Sequence, residues 1–284
     1  VADGATSSGA RSVAQLVRLL GLYARMDWLW VARARSSALT FYVAEWVMGV
    51  SVVAATWLLA ARFDGIGPWT HGQVVFLLGY SLLVRGTVEM GFGWNVAHVS
   101  RRIGRGQLDH MLLQPAPLWV LVLSEGFSPL SGSGLLLSGV ALIALSGVDL
   151  AAIPPLLFAV NWVASVVVVL AFSYAWGSLA FWAPRAAEEI NSSTMALVDQ
   201  LRGFPLDGLG AGLIGLLLSL VPVGFVAWLP ARSLLGLGGA PWQVWAAPVG
   251  ATVIAGVALL VFSRGVRHYR ATGSVRYLAL GHRR

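Results

Sequence analysis

Apolar residues fill this chain in long blocks separated by short polar stretches. A helix needs about 20 mostly apolar residues to cross a bilayer core. Six blocks reach that length, at residues 37–61, 72–96, 118–147, 154–183, 206–229 and 241–263. Ahead of them lies a different pattern. Val13, Leu16, Val17, Leu20 and Ala24 form one helical stripe over residues 11–30, and Arg11, Arg18 and Arg25 recur every seven residues on another face. With Trp28 and Trp30 following, this predicts an amphipathic helix lying in the membrane interface; an ordinary helix of a small soluble cap is the alternative. Residues 1–10 are small and polar, lack the apolar core of a signal peptide, and are expected to be a disordered leader. The fold class is therefore all-α integral membrane, a six-helix transmembrane domain over residues 37–263.

The arginines orient the bundle. With the first residue inside, 16 of the 19 arginines fall in segments on the inner side, the asymmetry that cytoplasmic loops carry. Both termini, the loop at 97–117 and the basic tail at 264–284 are then cytosolic. Trp57, Trp69, Trp94, Trp119, Trp182, Trp228 and Trp242 stand at span ends, as interfacial aromatic belts do. The fifth block is rich in glycine and broken by Pro222. It either crosses the membrane, as its hydropathy favours, or dips in from outside as a re-entrant hairpin. In the second case the polar stretch 186–204 is the crossing helix. No internal repeat is visible, so an inverted-repeat transporter gains no support.

Composition sharpens this. Of 284 residues, 57% are hydrophobic and 11% charged, with mean hydropathy +0.76, against about 25% charged in soluble domains. The net charge of +7 is membrane-flanking arginine and gives no reason to expect nucleic acid. The chain has no cysteine and no lysine. Without lysine there is no standard P-loop and no Schiff base, so an ATPase, if one is used, is a separate partner.

Two constellations could carry mechanism. The first is the loop 97–117, where Arg101, Arg102 and Arg105 interleave with Gly104 and Gly106. A short helix with Leu108 and Leu112 on one face and Asp109 near its start follows, closed by Pro115 and Pro117. Such a helix suits docking into the groove of a soluble partner; packing into the headgroups is the equal alternative. The second is a set of charges within the spans, each costly at bilayer depth. Glu45, Glu89 and Glu125 each lie about eight residues, or about 12 Å, from the inner interface, and Arg85 is one turn from Glu89. A single buried polar cluster with Arg85 as counter-charge is expected, either as a structural lock between helices or in a cargo or gating role. The spacing of His98, Asp109 and His110 matches no standard metal-ligand set. Ser131-Gly132-Ser133-Gly134 reads as helix-packing contacts and not as a nucleophile loop.

The run Ile103-Gly104-Arg105-Gly106-Gln107-Leu108-Asp109, closing on Leu112-Leu113-Gln114-Pro115, resembles the cytosolic signature of ABC-2-type permeases, the membrane subunits of bacterial ATP-driven exporters. Val221-Pro222-Val223-Gly224-Phe225-Val226, with Trp228-Leu229-Pro230-Ala231, is similar to the segment before that family's last span. Gly265-Val266-Arg267-His268-Tyr269-Arg270 is similar to the run just after it. The likeness covers residues from about 11 to 273. Gln114 departs from it, since an arginine is more usual before the proline.

The resemblance implies a type V exporter-like bundle in the bacterial plasma membrane. It also implies a coupling helix built from Gly104, Gly106, Leu108, Asp109, Leu112, Leu113 and Pro115, seated in a cleft of the ATPase. Two ATPase subunits carrying ATP and Mg, and a second permease chain, identical or homologous, would complete the complex. This chain itself would hold no cofactor and catalyse no reaction. The competing readings are a proton-coupled secondary transporter using Glu89 and Glu45 as a relay, and an intramembrane enzyme acting on lipids.

Overall fold

The computed structural model describes residues 2–60, 62, 65–238 and 240–273. Two helices open the chain, α1 (Ala2–Arg33) and α2 (Arg35–Ala60). α1 thus begins at Ala2, within the stretch expected to be a leader. A two-stranded antiparallel hairpin, β1 (Gly65–Ile66) and β2 (Trp69–Thr70), leads into the longest helix, α3 (His71–Gly104). Thr70 starts α3 with a capping box, its N–H donating to Gln73 Oε1 at 2.9 Å, which satisfies one of the orphan donors of the first turn. The chain continues through α4 (Leu108–Leu112), α5 (Leu118–Ser124), α6 (Ser133–Leu145), α7 (Pro155–Gly177), α8 (Pro184–Leu201), α9 (Ala211–Ser219), α10 (Trp228–Leu234) and α11 (Ala246–Thr272). Residues 274–284, most of the expected basic tail, lie outside the described residues.

Among the described residues, four helices are long and apolar enough to cross a membrane, namely α2, α3, α7 with the turn that follows it, and α11. Two of the six expected spans take another form. The third, 118–147, divides into α5 and α6 because Gly126 (φ 88°) and Gly132 (φ 75°) flank Pro129 and adopt the left-handed backbone that only glycine takes easily. The fifth, 206–229, is bent by 77° between α9 and the helical turns that follow Pro222. Asp207 near its start is ion-paired to Arg232 just beyond its end. Both ends of this stretch therefore meet beside Trp69 of the hairpin, which gives it the shape of a re-entrant loop or a sharply broken span.

What carries the chain the length of the molecule at this point is α8, the polar helix. Glu188 near its start pairs with Arg101 at the end of α3, and Gly203 just past its end packs against Leu78 and Ser81 near the start of α3. α8 runs antiparallel to α3 and buries Ala187, Asn191 and Val198, with Asn191 Oδ1 facing Ser173 Oγ at 3.4 Å. Its outward polar positions explain why hydropathy passes over it.

α3 is the central post. On one side Phe76, Leu77, Tyr80 and Val84 join Val168 and Phe172 of α7 and Val223 and Trp228 of the re-entrant stretch in the main core. Tyr80 OH meets Ser165 Oγ at 3.0 Å in its interior. On the other side Gly72, Gly79 and Gly86 face α6 and the residue after it. A Cβ at Gly79 would lie 2.9 Å from the carbonyl of Gly139, and one at Gly139 2.5 Å from the Leu83 nitrogen. Such small-residue seams let helix backbones approach in lipid, where packing replaces the hydrophobic effect.

Candidate functional site

Two sites stand at different depths. At the end of α3 away from the hairpin, Gly104 is buried in the last helical turn and Gly106 turns the chain with φ 70°. α4 follows, and its Leu108 is 3% exposed, enclosed by Val99, Ile103, Phe181, Ala187, Val266 and Tyr269. Asp109 Oδ1 accepts a 2.7 Å hydrogen bond from Tyr269 OH of α11. Leu112 is half-buried against the same cluster. The expectation that Leu108 and Leu112 are offered to a partner is therefore corrected. They fasten the loop to the protein's own core, because a five-residue helix cannot hold itself without tertiary contacts. The residues that face outward are Arg105, Gln107, His110, Leu113, Gln114 and Pro115, and Leu113 is 84% exposed.

Further anchors surround this loop. Arg101 pairs with Glu188 of α8 at 2.7 Å. Arg102 is ion-paired with Glu125, at the end of α5. Leu19 and Tyr23 of α1, with Arg102, His110 and Gln114, line a cavity of about 310 Å³ between the first helix and the loop.

The second site is a cleft of about 710 Å³ bounded by α2, α3, the start of α6 and the end of α8. Glu45, Arg85 and Glu89 line it together, and Arg85 Nε donates to Glu89 Oε1 at 2.7 Å across one helical turn. Glu125 does not join them. It belongs to the loop site, so the expected four-residue cluster is corrected to three. The cleft instead gains Asp199 and Arg202 of α8, paired at 2.9 Å. Sequence reading missed these two because 184–205 was placed in a cytosolic connection; their i,i+3 spacing was the available signal.

Glu45 has a distinct partner. Its side chain, from α2, packs against Gly134 at the N-terminus of α6. That terminus lies beside Glu89, since a Cβ on Gly132 would meet Glu89 Cβ at 2.9 Å. The Ser131–Gly134 stretch thus makes helix-packing contacts: a Cβ at Gly134 would lie 3.0 Å from Glu45 Cγ.

At the hairpin end, Asp207 Oδ2 accepts from Trp69 Nε1 at 2.5 Å and Trp228 Nε1 at 2.7 Å, and Arg232 stacks over the Trp228 ring at 5.5 Å. Nothing in the sequence pattern singles out Asp207. No group of three or more His, Cys, Asp or Glu side chains among the described residues is placed to hold a metal ion.

An all-helical body with apolar, membrane-length helices, a charged cleft at bilayer depth and a rigidly held loop at one end defines a multi-pass membrane transport component. The profile of the ABC-2 family transporter protein matches residues 47–273, and the chain belongs to that family. No curated protein and no solved structure matches it.

Proposed function

We propose that the chain is the permease subunit of an ATP-driven ABC exporter, docking a separate ATPase through the loop between α3 and α5 and forming half of a translocation path. The observation that carries this is the loop itself. Leu108 and Asp109 lock it to α3 and α11, and Leu113 projects from it with 84% of its surface exposed. A rigidly mounted apolar knob suits a partner's cleft, since little entropy remains to be lost on binding. The absence of lysine puts nucleotide chemistry on the partner, and two copies of that ATPase with a second permease chain complete the assembly.

In this reading the loop end is cytosolic and the hairpin end external, in the bacterial plasma membrane. α2, α3, the broken α5–α6 pair, α7, α8 and α11 are the six crossings. Fifteen of the nineteen arginines then lie inside, Arg62 and Arg232 outside, and Arg85 and Arg202 at depth, which fits the positive-inside bias. α1 lies along the inner interface.

Purification from native membranes tests the proposal. The chain should bring down a P-loop ATPase in fixed ratio, and hydrolysis should require both. A chain that purifies alone yet supports transport driven by a proton gradient would replace it with a secondary transporter.

A further inference from the structure

The charged cleft has features that neither helix packing nor ATPase docking uses. Its volume of about 710 Å³ falls within the range of small-molecule sites. On α3 it extends from Leu78 to Glu89, about 16 Å at helical rise, and so lies wholly within an apolar span. Its rim carries Phe41, Met48 and Phe204, which are 45%, 66% and 45% exposed. Asp199 and Gln200 are exposed beside them, so the mouth is mixed, with apolar side chains on the α2 side.

The charges inside are not balanced. Arg85 is engaged by Glu89, and Arg202 by Asp199, each within its own helix. Glu45 comes from a third helix and, among the described residues, is ion-paired to no arginine. Its side chain lies against the start of α6, where a Cβ on Gly134 would meet Glu45 Cγ at 3.0 Å, and among the described residues its Oε2 has no hydrogen-bond partner. A helix N-terminus is worth roughly half a unit charge, so the acid is only partly offset. A cation entering the cleft would complete the offset, and an anion would add to the excess.

We propose that this cleft binds an amphiphile bearing a single cationic amine, with the amine beside Glu45 and the apolar body along Met48, Val52, Leu82 and Leu135. That this amphiphile is cargo rests on the transport function above; the binding requires only this chain.

The test uses the purified chain in nanodiscs of uncharged lipid, titrated with dodecylammonium, dodecyl phosphate or dodecanol. Dodecylammonium should bind at least about tenfold more tightly than the other two. Glu45→Gln keeps the size of the side chain packed on α6 while removing the charge, and should erase that preference. Met48→Trp fills the cleft from α2 without touching the ionic residues, and should weaken all three probes. Equal affinity for the three probes, or an unchanged preference in Glu45→Gln, would overturn the proposal. Because no ATPase is present, failure here is distinct from failure to recover an ATPase partner.

Discussion

Asp207 and Arg232 are ion-paired although 25 residues separate them, and the pair closes the re-entrant stretch at its base. The same carboxylate takes both the Trp69 and Trp228 indole N–H groups. One side chain thus ties the stretch to itself and to the hairpin between α2 and α3. Asp207→Ala should lower thermal stability by about 3 kcal/mol, the cost of leaving a largely buried charge unpaired. Asp207→Asn keeps an acceptor for an indole and should lose less. Melting of the two variants in detergent checks this, and equal losses would mean that the arginine pair contributes everything.

The topology is open to a direct chemical test. The native chain has no cysteine, so a single introduced one reports cleanly. Gly208, exposed just past Asp207, should react from outside as Gly208→Cys with an impermeant thiol reagent in intact cells. Gln107→Cys should be protected until the membrane is opened. Protection of position 208 would restore 206–229 as a crossing helix and return α8 to the cytosol.

The ionic pairs of α3 and α8 make a separate case. Arg85→Ala leaves Glu89 without its partner in a cleft that Glu45 and Asp199 also line, so like charges there go unopposed. Stability should fall, and Arg85→Ala with Glu89→Gln should recover part of it. The coupling in a double-mutant cycle should be about 1 kcal/mol. If transport recovers along with stability, the pair is a structural lock. Recovery of stability alone would give it a role in handling cargo. Full stability of Arg85→Ala would mean that Arg202 already compensates.

How much of this was legible beforehand differs by element. Long apolar blocks announced α2, α3, α7 and α11, because hydropathy reports apolar surface whether it lies outward, as on α2 and α11, or in the core, as on α3. The same logic is least informative at the fifth crossing, where the proposed topology exchanges 206–229 for α8. α8 has Asn191 and Ala187 on its buried face and polar groups elsewhere, so neighbouring helices, not its own composition, fit it to its position. The apolar 206–229 block reads as a span although its ends meet. Gly126, Pro129 and Gly132 were visible as residues, but that α6 then packs on Glu45 of α2 shows only in the fold. In the loop, the motif covers α4 and the turn before it. Only packing against Phe181 and Tyr269 shows that Leu108 faces inward and Leu113 outward.

That distinction separates two kinds of loop variant. Leu108→Asp places a carboxylate in an apolar cluster and should reduce folded yield. It should act through stability, at about 3 kcal/mol or more. Leu113→Asp changes an exposed side chain and should leave insertion and melting unaltered while abolishing ATPase association. Similar folded yields for both variants would mean that the Leu108 cluster is not a structural anchor.

The central claim is that Leu113 enters a cleft of a separate ATPase. A photoreactive amino acid at position 113, irradiated in native membranes, tests it most directly, with position 140 on the apolar face of α6 as the lipid-facing control. The account predicts a crosslink from position 113 to a P-loop ATPase, lost on ATPase depletion, and none from position 140. A crosslink from position 113 to lipid or to this chain alone, with transport intact, would contradict it.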